Sequence, residues 1–559
     1  MWLAANKKSC SYHYKLQVKG VGMQKQSKLY SIFNGAVILT LAGLFTKILS
    51  ATYRIPYHHI AGDIGFYIYQ QVYPLYGIAL QLGTYGFPVI ISKLVAEYAV
   101  TNRRKEIRGI LQVSFAFLFV VGCTIFAFEY IFAETIAEWM GDRKLTVLIQ
   151  IISFSFLLIP FIAVIRGYYQ GLHNMFPTAL SQIAEQVVRV GTILYLSIFL
   201  IQHGYDLYTA GAGAIFGSIT GGITSLVILF LFVFRTKTNS KGVFQRIKKA
   251  DIKRIFKILV IQGLLICISG MGLLFIQLID SFTLYSSLTA HGMAEEAAQI
   301  LKGIYDRGLP LIQLGTVVGT AFSLSLVPVI SSAIAKKNLS FVVEKVQLSL
   351  RLSLVVGVGA AFGLIALMKP INMLLYGDSH GTDVLQILSL LVIFTTVAAT
   401  AGAVLQGMGA VFAPVIAVIA GMAVKLILNL WLIPDFQTIG AAIASSTGFA
   451  IVAAINLFCL YKKLAVLLVP KKASGGIFIT GIAMVVLLQS YLFCLHHFVW
   501  SNGLDTSKQV VETGAGVLIG GLFYLFIIMK QHIFTEEELR LLPMGSVLAK
   551  YVLKNKLRR

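Results

Sequence analysis

The chain has 559 residues, of which 57% are hydrophobic and 12% charged. Soluble domains carry about 25% charged residues, so a mean hydropathy of +0.82 leaves too little polar surface to cover a globule in water. The soluble α/β and all-β enzyme classes are excluded. At ~20 apolar residues per helical span, the length holds about fourteen spans and no separate catalytic domain. Net charge is +23, from 46 Lys+Arg against 23 Asp+Glu; in an all-helical membrane chain this excess belongs to cytoplasmic loops, not to nucleic-acid binding.

Residues 1–29 carry Lys7, Lys8, Lys15, Lys19, Lys25 and Lys28 before any apolar stretch. They read as a cytoplasmic extension rather than a cleaved signal, with Met23 an alternative start. Apolar runs then predict spans at 30–55, 65–92, 110–133, 147–169, 178–201, 211–234, 257–283, 309–335, 351–372, 384–407, 413–433, 439–461, 476–498 and 512–531. The basic loops "TNRRKEIRG", the linker 235–256, "AKKN", Lys462, Lys463, Lys471, Lys472 and the tail 532–559 all fall on one side of that arrangement. The other loops ("AEWMGDRK", "QHGYD", "YGDSHGTD", "PDFQT") are short and poor in basic residues. Fourteen spans in a bacterial plasma membrane, with both termini cytoplasmic, satisfy the positive-inside pattern.

The basic linker divides the chain near its middle, and the halves repeat. Pro74 and Pro310 are 236 residues apart in similar Pro-Leu and Gly-rich contexts. "YQGLHNMFPTALSQIAEQVVR" parallels "LQGMGAVFAPVIAVIAGMAVK" at the same offset. Six spans per repeat is an even number, so the repeats share one orientation. The expected architecture is an N-lobe (30–234) and a C-lobe (257–461) around a central cavity, with two extra helices at 476–531.

Charges inside spans are the informative residues, because each costs roughly 2.5–3.5 kcal/mol at mid-helix. They are Lys47, Arg166, Glu185, Arg189, Asp280 and Lys425, with Arg54 and Asp306-Arg307 near span ends. Lys47 and Arg54 lie seven residues apart on one helix face and form a candidate anion site; snorkelling is the competing reading. Arg189 and Lys425 are equivalent in the repeat. Glu185, one turn from Arg189, fits an intrahelical ion pair. Asp280 is a candidate partner of Arg307, or a proton or sodium site. Asp306-Arg307 also fit a helix cap before Pro310.

No Walker, HExxH or G-x-S-x-G motif is present, so an enzyme is not expected, and no cofactor or metal. The five cysteines have neither metal nor disulfide spacing. His58-His59 and His496-His497 read as interfacial anchors. Tyr67, Tyr69, Tyr73 and Tyr76 fit an interfacial belt or a sugar-stacking surface.

The segments "LFTKILSATYRIP", "AGDIGFYIYQQVYPLYGIALQLGTYGFPVIISKLVAEY", "RGYYQGLHNMFPTALSQIAEQVVRV" and "YDRGLPLIQLGTVVGTAFSLSLVPVIS" resemble the polysaccharide-transporter branch of the multidrug/oligosaccharidyl-lipid/polysaccharide (MOP) flippase superfamily. The likeness is to stage V sporulation protein B and YabM-type proteins and, more distantly, to MurJ lipid II flippases. It implies a MATE/MurJ-like fold and export of a polyprenyl-pyrophosphate-linked saccharide by alternating access. Lys47 and Arg54 match cavity arginines of MurJ span 1. Asp306 and Arg307 match its span 8 Tyr-Ala-Asp-Arg motif. A further MurJ arginine on span 2 has no counterpart in "YPLYGIAL". The expected function is a monomeric flippase for an anionic lipid-linked saccharide in a lipid bilayer. Its coupling to sodium, protons or membrane potential is left open. The alternative is a cation-coupled drug exporter of the same fold.

Overall fold

The computed structural model describes residues 37–100, 104–235, 249–335, 338–499, 506–535 and Glu538. The expected N-terminal extension with Met23, most of the basic linker and nearly all of the tail lie outside the described residues. Every regular element among the described residues is a helix.

The N-terminal half contains α1 (37–52), α2 (Arg54–Leu80), α3 (Phe87–Ala99), α4 (Arg104–Ile131), α5 (Ala133–Trp139), α6 (Thr146–Gly171), α7 (Phe176–Gln202) and α8 (Leu207–Arg235). The second half contains α9 (Lys249–Ile258), α10 (Leu264–Gly270), α11 (Gly272–Ala290), α12 (Glu295–Asp306), α13 (Gly308–Ala335), α14 (Leu339–Tyr376), α15 (Thr382–Ser389), α16 (Leu391–Gly407) and α17 (Phe412–Leu464). Two final helices, α18 (Lys471–Cys494) and α19 (Thr506–Lys530), pack on each other and on α14.

Among the described residues, eleven helical segments are long and apolar enough to cross a bilayer. Two are double-length. The first, Val37–Ala99, breaks at Gly62 (φ 66°, ψ −174°), and Phe412–Leu464 breaks at Gln437 (φ 49°). Glycine supplies the first reversal because a Cβ disfavours that backbone region. Split at these corners and joined by the 28-residue α13, the helices are consistent with the fourteen spans expected. The first boundary is corrected. The helix break lies at Gly62 rather than at residue 55, and residues 56–64, left between the first two expected spans, are helical apart from that corner.

Close helix approach follows small residues. Gly213, Gly217 and Gly221 recur every four residues on α8, and a Cβ on Gly221 would stand 2.7 Å from the Glu185 carbonyl oxygen of α7. The repeat-equivalent pair Gly421 and Gly448 meets just as closely, a Gly421 Cβ falling 2.7 Å from the Gly448 oxygen. These contacts fix α7 and the first half of α17, the helices that bear Arg189 and Lys425. Between the halves, α2 and its π-helical extension Gln81–Gly86 lie along α10 and α11. There a Gly86 Cβ would be 2.1 Å from the Cys267 Sγ.

Candidate functional site

The chain reverses at opposite ends of the bundle. One end carries the basic loops. The other, here the far end, carries three Gly-Asp corners: Gly62-Asp63, Gly141-Asp142 and Gly377-Asp378. All three glycines have positive φ (66°, 86° and 86°). Each turns the chain and delivers a carboxylate to the place where the halves meet.

The first cluster lies in the N-terminal half. Arg54 is 2% exposed and Arg189 fully buried. The Arg54 guanidinium lies over the Tyr73 ring at 4.4 Å, and that of Arg189 over Tyr76 at 5.0 Å and Tyr53 at 5.8 Å. Arg189 also donates to Ser50 Oγ at 3.3 Å. Among the described residues neither arginine is in an ion pair. Arg54 Nε and Arg189 Nε and Nη1 are buried with no acceptor. Buried donors are almost always satisfied, so three orphan N–H groups on two cations are exceptional and leave donors for which the described residues supply no acceptor. Tyrosine faces hold the guanidinium planes, and these three N–H groups remain along their edges. Span 2 thus contributes tyrosines rather than a cation, and α7 provides the second guanidinium. The tyrosines do not form a lipid-facing belt: Tyr67 and Tyr69 are fully buried, and Tyr73 and Tyr76 are nearly so. Lys47 is half-buried. Its carbonyl accepts from Gln313 of α13 at 3.4 Å.

Glu185 does not pair with Arg189. It pairs with Arg166 of α6 at 2.8 Å. Arg166 is fully buried and also donates to Ser181, Thr84 and Ser225. Every end of this guanidinium has an oxygen partner, so Arg166 ties four helical segments and is not available to cargo. The intrahelical pair loses because Arg166 offers Glu185 a buried, aligned donor. A cavity of about 30 Å³ beside Tyr76, Thr84, Ser155 and Glu185 has room for roughly one water, far from room for a saccharide. The arginine pair is therefore enclosed in this conformation.

The second cluster lies in the C-terminal half. Lys425 Nζ donates to Asp280 at 2.7 Å and to Ser445 Oγ at 2.6 Å. The Tyr305 hydroxyl donates to Asp280 Oδ2 at 2.9 Å and lies 2.9 Å from Ser445 Oγ. Asn429 donates to the other Asp280 oxygen at 3.1 Å. Asp280 is thus the partner of Lys425, not of Arg307. Lys425 has no acid one turn away on its own helix; the neighbouring span supplies it. Breaking a buried pair on one side costs about 3–5 kcal/mol. Lys425→Met is therefore expected to lower the melting temperature of purified protein strongly, whereas Lys425→Met with Asp280→Leu recovers most of that loss.

The third cluster joins the halves at the far end. Arg307 donates to Asp63 at 2.9 and 2.7 Å and to Asp378 at 2.8 and 2.9 Å. Its guanidinium lies over Tyr376 at 5.1 Å, and Tyr376 donates to the Arg307 carbonyl at 3.0 Å. Arg307 is the helical C-cap of α12 (φ −56°, ψ −26°) leading straight into α13, and it is buried rather than the solvated arginine of an N-terminal cap. Asp306 is held by Lys302 at 2.6 Å. Burial alone would raise the Asp378 pKa, yet hydrogen bonds from Arg307 and the His380 backbone outweigh it and hold the carboxyl below its ordinary value. His58 is buried and bonds Asp63 at 2.9 Å, so it is no surface anchor. Nearby, Asp142 accepts from Tyr208 at 2.6 Å and Tyr67 at 3.1 Å, and Gln299 of α12 donates to Tyr208 at 2.9 Å.

Sequence reasoning missed Asp63, Asp142 and Asp378. The signal was present in the Gly-Asp dipeptides, which recur at three corners of one end. Asn429 and Ser445 had none, because their partners lie on other segments; Lys302 had a local one, an acid at i+4.

Residues 32–334 match the model of the polysaccharide biosynthesis protein family. The chain is 44% identical over 530 residues to the membrane protein YabM of Bacillus subtilis (strain 168), covering 94% of this chain and 97% of that one. The chain belongs to the polysaccharide biosynthesis protein family. The lipid II flippase MurJ of the same organism is 25% identical over 89% of this chain and 94% of its own. Among solved structures, lipid II flippase MurJ in an inward closed conformation aligns at TM-score 0.60 and 16% identity, covering 89% of this chain and 99% of that one. An inward-facing multidrug resistance MATE family transporter of the MOP superfamily aligns at TM-score 0.62 and 14% identity, covering 75% of this chain and 94% of that one. These structural likenesses show that the chain shares the fold of the MurJ and MATE structures.

Proposed function

We propose that the protein flips an anionic lipid-linked saccharide across the bacterial plasma membrane, by alternating access between its two lobes. The reading rests on the buried Arg54–Arg189 pair. Two guanidiniums with three unpartnered N–H groups, no carboxylate and a tyrosine lining fit a diphosphate joined to a sugar. A polyprenyl-diphosphate saccharide has both parts, and lipid II, the cargo named for the relative MurJ, is of this class. A cation-exporting variant needs a free acid in the N-lobe. The buried Glu185 there is already paired with Arg166; Glu129 of α4 has a buried oxygen without a partner and is the residue on which that variant would rest.

By the positive-inside pattern the basic end is cytoplasmic, together with both termini. The Arg307 latch then closes the outer face. In intact cells, an impermeant thiol reagent is expected to label a cysteine at His291 and not one at Lys472. The reverse pattern overturns this orientation.

Moving one charge through the field is worth about 2.3 kcal/mol per 100 mV. An inside-negative potential drives an anionic cargo outward directly. If protein cations neutralise the cargo in transit, the same field acts on the empty cationic site as it resets inward. Either way a cycle carrying negative charge outward is favoured, and one protein chain with no nucleotide suffices. In liposomes holding the purified protein and a fluorescent polyprenyl-diphosphate saccharide, an imposed potential of the right sign is expected to speed flipping severalfold. Indifference to potential of either sign removes this driving force. Absence of flipping under any condition, with folded protein, removes the cargo assignment.

A further inference from the structure

Three consecutive residues at the α12–α13 junction enter three different polar systems. Tyr305 joins the Asp280–Lys425–Ser445 cluster inside the C-terminal half. Asp306 takes Lys302 on its own helix. Arg307 crosses to Asp63 in the N-terminal half and to Asp378.

Helix geometry makes this arrangement mechanical. Residues two apart point about 200° from one another around a helix, so Tyr305 and Arg307 face nearly opposite ways. The backbone between them is helical, and the Arg307 N–H bonds the Gly303 and Ile304 carbonyls at 3.2 Å. A rigid rod of one turn therefore has one arm in the C-lobe interior and the other in the interlobe latch. A shift of either arm is carried to the other.

The inner arm is fully committed. Lys425 donates to Ser445 Oγ at 2.6 Å and to Asp280 at 2.7 Å. Tyr305 gives its one proton to Asp280 at 2.9 Å, so the Ser445 proton is the one shared with Tyr305, also at 2.9 Å. The four groups close a ring in which every bond has an assigned donor, and such chains reinforce one another. Tyr305 is 1% exposed, so water offers its hydroxyl no alternative. The outer arm is also enclosed, since Arg307 is 1% exposed and its carboxylate partners sit at two glycine corners.

We propose that Tyr305 is the positioning residue of the latch: its hydroxyl, locked into the buried Asp280–Lys425–Ser445 ring, holds Arg307 in register with Asp63 and Asp378. The internal ion pair of the C-lobe thereby sets how firmly the lobes close at the far end. Arg307 makes the latch, and Tyr305 acts only through it.

The test needs no cargo, so its outcome is separate from that of the flippase assignment. Ser286 lies at the lobe contact, where a Gly141 Cβ would be 3.1 Å from the Ser286 Cβ. Purified protein with its native cysteines replaced and Ser286→Cys introduced is exposed to a water-soluble maleimide. Tyr305→Phe removes one oxygen and keeps the ring. It is expected to raise the labelling rate at position 286 about tenfold, the effect of one buried hydrogen bond to a charged group. Ser445→Ala is expected to act in the same direction, less strongly. On a background already carrying Asp63→Asn and Asp378→Asn, Tyr305→Phe is expected to change the rate less than twofold, because the latch it positions is gone. A second reporter, Ser197→Cys on the fully buried face of α7, is expected to stay protected throughout. Parent-like labelling of Tyr305→Phe at 286 overturns the proposal. So does an undiminished effect on the latch-free background, or exposure of position 197, which assigns Tyr305 to general packing.

Discussion

Replacing Arg54 and Arg189 together by alanine is expected to abolish cargo flipping while leaving a folded protein at normal abundance. The guanidiniums are buried at 2% and 0%, yet neither holds an acid, so their removal strands no carboxylate. It also relieves two enclosed like charges. Each hydrogen bond to a charged group is worth about 1.5–3 kcal/mol, which is roughly 10- to 150-fold in affinity per arginine. The double variant should lose about two to four orders of magnitude. Single variants should lose less, and lysine at either position should recover part, because an ammonium keeps the charge but loses the fork. The comparison with Arg166→Ala separates binding from structure. That substitution leaves Glu185 buried without its cation and beside Thr84 and Ser225 hydroxyls that have lost their donor, so it should lower abundance and melting temperature. The reading is measured by binding of a soluble diphosphate-sugar and by flipping in liposomes. Wild-type binding by the double variant would move the site elsewhere, with Lys47 the next cation to examine.

What was legible in the sequence follows from what burial in lipid demands. Long apolar runs gave the spans, and loop charge gave an orientation to test. Buried charges are costly enough that Arg166, Arg189, Asp280 and Lys425 each declared an interior role before any coordinates. Their partners were not legible. Glu185 had two arginines in reach, on its own helix and on α6, and packing chose the distant one. Asp280 had Arg307 and Lys425 as candidates, and the α11–α17 contact decided. Arg307 could be read as cap, cargo ligand or solvated cation, because nothing local says that Asp63, 244 residues earlier, stands beside it. The tyrosines of span 2 were ambiguous for a related reason. Belt and interior positions share the same amphipathic residue, and only the lobe contact distinguishes them.

Removing the latch carboxylates is expected to open the far end. With Asp63→Asn and Asp378→Asn, Arg307 keeps its place only as a buried cation without a counter-charge. Breaking a buried pair on one side costs about 3–5 kcal/mol, and each 1.4 kcal/mol is a factor of ten in a conformational equilibrium. The closed arrangement should therefore lose at least two orders of magnitude against any state in which water reaches Arg307. A cysteine at Ser286, half-buried against Gly141 in the parent, should then react faster with an impermeant reagent applied to whole cells. Flipping should fall as well, because a transporter that cannot re-close one side cannot complete its cycle. Gly303→Val tests the same idea without altering charge. A Cβ there would stand 2.3 Å from the Asp63 carbonyl oxygen, so valine wedges α12 away from the Gly62 corner. If the ion pairs and the close glycine contact together hold this end shut, the wedge and the double asparagine variant should both expose position 286. If the wedge exposes it and the asparagine variant does not, shape rather than charge closes the face. Arg307 then returns to the list of cargo ligands, its two carboxylates acting as the anions that cargo phosphate must displace.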